Sequence, residues 1–86
     1  MPPRRRKDPR SPEHAALGEA VRTLRHGVGL SQEQLAESAG TDLTQVGGIE
    51  RGVRNPSYTT LLRLAGALET TVGKLTTLAD ELRAQA

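Results

Sequence analysis

The stretch LSQEQLAESAGTDLTQVGGIE, residues 30–50, contains two helix starts and one stop within about twenty residues. Ser31 offers a helix N-cap, with Gln34 three residues on to complete a capping box, and Leu30 and Leu35 stand at the positions of a hydrophobic staple. Gly40 supplies the left-handed residue that ends this helix at Ser38 or Ala39. Asp42 then caps a second helix, again with Gln three residues later at Gln45, and Val46 and Ile49 give it a buried side. Two helices joined by so short a turn cross steeply, and this leaves few ways to arrange the rest of the chain around them.

The flanking sequence supplies that rest. Leu17, Val21, Leu24 and Val28 recur at helical spacing from Glu13 to about His26, and Gly27 and Gly29 close that helix. After the pair comes RGVRNPS, a loop rich in turn formers and arginine. Ser57 caps a fourth helix striped by Leu61, Leu64, Ala65 and Leu68. A fifth starts near Thr71, runs toward Arg83 and carries Val72, Leu75, Leu78, Ala79 and Leu82. No segment alternates as a strand does, so the expected fold class is all-α, with five short helices over residues 13–86.

Residues 1–12, MPPRRRKDPRSP, are Pro-rich, charged and without apolar periodicity, and read as a flexible basic arm. Five basic residues oppose one acidic residue there, a net +4, whereas the remainder carries seven basic and nine acidic residues, a net −2. The basic footprint therefore rests on the arm and on a few placed arginines. With no Cys in the 86 residues, disulfides, thiolate metal sites and Cys nucleophiles are excluded. The longest apolar run is far short of a membrane span, and the first residues lack the apolar core of a signal peptide. The expectation is a soluble, cytoplasmic protein with no membrane association.

Counting Gln32 as first, the fifth residue is Ala36, the ninth Gly40, the fifteenth Val46 and the eighteenth Ile49. Small, turn-making and apolar residues fall where a helix-turn-helix needs them, over residues 32–51. With the wording GLSQEQLAESAG and IERGVRNPSYTTLLRLAGAL, the chain from about Leu17 to Leu75 resembles the Cro and lambda-repressor type of helix-turn-helix DNA-binding domain. TDLTQVGGIERGVRNPS is similar to small controller proteins of restriction-modification systems.

The resemblance implies double-stranded DNA as partner, with the second helix of the pair in the major groove. It places Leu43, Thr44, Gln45, Gly47 and Gly48 toward bases and Gln32, Arg51, Arg54 and Asn55 on the sugar-phosphate backbone. Arg25 matches a family arginine that ties to the Glu ending the recognition helix, here Glu50. The outward positions offer no Arg or Asn to grip a base edge with two bonds, so direct readout is expected to be weak. Arg4, Arg5, Arg6 and Lys7 could enter an adjacent minor groove. A homodimer on a two-fold axis would double the contacts, and Val72, Leu75, Leu78 and Leu82 are the expected interface. A protein-interaction module, such as an antitoxin or another partner-binding regulator, is the competing reading. Catalysis is not expected, because His14 and His26 are twelve residues apart and no Ser or carboxylate completes a triad with them. No cofactor, metal or small-molecule motif stands out.

Overall fold

A computed structural model describes residues 8–86, and they form five α-helices with no strand among the described residues. They are α1 (Pro12–Gly27), α2 (Gln32–Ala39), α3 (Leu43–Glu50), α4 (Tyr58–Ala67) and α5 (Val72–Gln85). The start of each helix is written in local chemistry. Ser11, Ser31, Asp42, Ser57 and Thr71 all sit in extended backbone, and each side chain accepts the N–H three residues on. At α2 the box is complete, because Gln34 Oε1 also accepts the Ser31 N–H at 2.8 Å. At α3 only the Asp42 half is present, at 2.7 Å, since Gln45 turns its side-chain oxygen toward Arg54 instead.

Gly40 ends α2 at φ +68°, a left-handed conformation in which a β-carbon would be strained. The chain therefore turns within three residues, and α3 sets off at an angle to α2. Val21, Leu35, Val46, Ile49, Leu64, Leu68 and Leu75 are fully buried and join all five helices in one core. α5 packs along α1, α3 packs against α1 and α2, and α2 also meets α4. On α1, Gly18 lies directly against the Ile49 and Glu50 carbonyls, and a β-carbon there would collide with both. This bare spot lets the end of α3 seat against α1.

One boundary and one packing face differ from the sequence expectation. The basic arm was drawn to residue 12, but Ser11 and Pro12 begin α1, and the Arg10 N–H donates to the Gly52 carbonyl at 2.8 Å. The chain is thus fastened from residue 10 onward, beside the end of α3. Arg4, Arg5, Arg6 and Lys7 lie outside the described residues. The second difference concerns α5. Leu75 is 0% exposed in the core of its own protomer, and Leu78 and Leu82 pack against that core from the same side. Leu75 is therefore no interface residue, because α5 must turn its stripe inward to cover α1. Of the four expected contacts, Val72 alone is outside this cluster, and it is half-buried.

Candidate nucleic-acid interface

α3 buries Val46, Ile49 and Glu50 and turns Leu43 and Thr44 outward, with Leu43 47% exposed. Its placement depends on Glu50, a carboxylate only 3% exposed at the helix end. Arg25 of α1 donates to it twice, Nε to Oε2 at 2.6 Å and Nη2 to Oε1 at 3.0 Å. Gln32 of α2 donates to Oε1 at 3.0 Å. Arg22 adds Nη2 to the Glu50 main-chain carbonyl at 2.9 Å, with its Nε 3.8 Å from the carboxylate. One side chain thus ties α1, α2 and α3 together. Burial pushes the Glu50 carboxyl up, but the hydrogen bonds from Arg25 and Gln32 and the charges of Arg25 and Arg22 outweigh it, and the group lies below its ordinary 4.5. Arg25 shifts the opposite way, its guanidinium held charged by the same pairing.

The remaining expected contacts divide. Gln32 stands at the first position of α2, where the main-chain N–H groups are unpaired within the helix. One amide hydrogen goes to Glu50 and the other stays available to an outside acceptor. Arg51 caps α3 and is exposed. Asn55 is exposed, but its Oδ1 accepts from His14 Nε2 at 3.1 Å, while His14 Nδ1 lies 2.7 Å from Ser11 Oγ. The loop after α3 is thereby tied to the start of α1, and Ser11 and His14 act as cap and clasp.

Gly47 and Gly48 are a correction. Both are expected from the resemblance to face bases, and both are buried. The cover is arginine: a β-carbon at 47 would lie 3.0 Å from Arg51 Nη1, and one at 48 would run into the Arg54 stem. Two long side chains rooted at and beyond the end of α3 fold back over it. Residue spacing gave no sign of this, since Arg54 reaches the helix from the loop.

Also unforeseen are Tyr58, 67% exposed, and Leu62, 47% exposed, four residues apart on α4. The signal was present, because neither belongs to the Leu61, Leu64, Ala65 and Leu68 stripe that α4 buries.

A helix-turn-helix family model matches residues 21–75, which takes in all of α2, α3 and α4. The chain belongs to the helix-turn-helix family. Among its helix-turn-helix relatives is the control protein C.SmaI of Serratia marcescens, 51% identical over 61 residues that make up 71% of this chain and 73% of that protein. The restriction-modification controller protein C.AhdI from Aeromonas hydrophila superposes with a TM-score of 0.74 at 43% identity, over 76% of this chain and 98% of that one. The clp gene regulator ClgR from Corynebacterium glutamicum superposes with a TM-score of 0.82 at 27% identity, over 85% of this chain and 78% of that one. Among the described residues, no helix is long and apolar enough to cross a membrane.

Proposed function

We propose that this protein is a DNA-binding transcription regulator of the controller type, which reads a palindromic or pseudopalindromic operator as a homodimer with α3 in the major groove. The observation that carries this reading is the mounting of α3. Its inner side is held by the core and by Glu50, while Leu43 and Thr44 face outward with arginines at the helix end. Leu43 and Thr44 meet thymine methyl groups, and Gln45 lies at the edge of the contact. Gln32, through its free amide hydrogen and the α2 N-terminus, and Arg51 hold phosphates on either side. The bond from the Arg10 N–H to the Gly52 carbonyl, beside the end of α3, supports a minor-groove role for Arg4, Arg5, Arg6 and Lys7.

The homodimer reading moves to α4. Tyr58 and Leu62 form the exposed apolar face that α5 does not provide, and Val72 is the one member of the α5 stripe outside the core cluster. The protein acts in the cytoplasm, where operator DNA lies, and as a binder, not an enzyme.

Titration of a mixed-sequence duplex at rising salt tests the reading. Affinity should fall steeply, with a log–log slope of roughly −0.9 for each phosphate neutralised. Binding that ignores salt, or no binding at low salt, would leave the protein-partner module as the better account. Deleting residues 2–10 in the same assay should flatten the slope, and an unchanged slope removes the arm from the interface.

A further inference from the structure

We infer that Arg54, though it comes from the loop after α3, is the residue through which this protein reads a guanine. The inference rests on the DNA-binding reading above and departs from the phosphate role that the family resemblance implies for Arg54.

Gly48 is one helical turn from Thr44 and so lies on the outward line of α3, opposite the core residues Val46, Ile49 and Glu50. A bare residue on that line should be exposed, yet Gly48 is buried. What buries it is the Arg54 stem, with Nε 3.1 Å and Cδ 3.2 Å from where a β-carbon would stand. The root of the side chain is fixed too, because the Val53 and Arg54 N–H groups both donate to the Gly48 carbonyl, at 2.9 and 3.2 Å. Nη1 ends 3.5 Å from Gln45 Oε1, on the far side of the glycine. Arg54 therefore crosses the outer surface of α3 in a slot that the missing side chain opens.

The chemistry follows from the donor count. A guanidinium has five N–H donors in a planar fork, and Gln45 engages one of them. The free edge can meet the O6 and N7 acceptors of guanine with two parallel bonds, which Leu43 and Thr44 cannot do and which a phosphate contact would not convert into sequence information. The weak readout expected from the residues of α3 is thus supplemented by a side chain rooted outside the helix.

The test uses the full-length protein and the duplex that the wild type selects from a randomised pool. Each base pair of the half-site is then replaced in turn, and affinities are measured for wild type, Arg54→Lys and Gly48→Ala. Arg54→Lys keeps the charge but loses the fork; Gly48→Ala keeps every charge and displaces the stem. The wild type should discriminate roughly tenfold or more at one G·C pair in each half-site. Both variants should lose most of that discrimination, keep their preferences at the other pairs and retain the wild-type helical circular dichroism spectrum. If Arg54→Lys keeps the wild-type preferences, or weakens binding equally at every base pair, Arg54 is a phosphate contact and the inference fails while the DNA-binding reading stands. If the wild type selects no duplex and binds none with salt dependence, both fail together.

Discussion

Replacing Arg25 by alanine tests whether Glu50 is the joint that holds α3. The change removes two charge-assisted hydrogen bonds from a carboxylate 3% exposed, along with a 3.0 Å bond from Arg25 to the Leu30 carbonyl. Glu50 keeps Gln32 at 3.0 Å and Arg22 at 3.8 Å. Stranding one member of a buried pair costs about 3–5 kcal/mol, most of it from the charge left behind. The half-exposed Arg22 can swing toward the space vacated, so the low end applies, about 3 kcal/mol. For a domain of this size that lowers the melting midpoint by roughly 12–24 °C, at about 4–8 °C per kcal/mol. In urea, with a slope near ~1 kcal/mol/M, the midpoint falls by about 3 M. Far-ultraviolet circular dichroism reads both. A companion experiment adds Glu50→Gln to Arg25→Ala. Neutralising the stranded group should restore a good part of the loss, because an amide costs far less to bury than a lone carboxylate. A loss below about 1 kcal/mol, the scale of a solvated pair, would refute this account, as would a double variant no more stable than Arg25→Ala alone.

Other expectations are briefer. Gly18→Ala drives a β-carbon into two backbone carbonyls that cannot rotate away, so denaturation should show a loss of about 1–3 kcal/mol, whereas Gly66→Ala meets nothing and should be neutral or gain about 0.5–1 kcal/mol. Glu50 has a folded-state pKa below its unfolded value, so its contribution is full above about 4.5 and is lost as pH falls through the lower folded value. Acid titration of stability should therefore be shallower for Glu50→Gln than for wild type. Leu62→Glu should shift the protein toward monomer in sedimentation at micromolar concentration with helicity unchanged; an undisturbed dimer would place the contact elsewhere.

What the sequence made legible was local. Ser31, Gly40, Asp42, Ser57 and Thr71 set helix ends through bonds spanning three or four residues, and each is where that chemistry puts it. The stripe on α5 was legible as a stripe but not by destination, since periodicity shows which residues share a face and not which neighbour covers it. Leu75 went to the protomer's own core because α1 needed a partner along its length. The cluster around Glu50 was half legible: Arg25 could be matched to it, whereas Gln32 and Arg22 meet it only once α1, α2 and α3 are folded together. The covered glycines were the hardest to foresee. Their burial depends on where two flexible arginines lie, and no spacing rule reports that.

The cluster at Glu50 has a consequence for how such a protein can change over generations. The bonds from Arg25 and Gln32 that hold α3 are made at its final residue, and among the described residues no side-chain bond is made by Leu43 or Thr44. The outer lettering of the helix can therefore be rewritten while its frame stays put, and a lineage carrying this arrangement is free to acquire new targets one substitution at a time without first surviving a weaker fold.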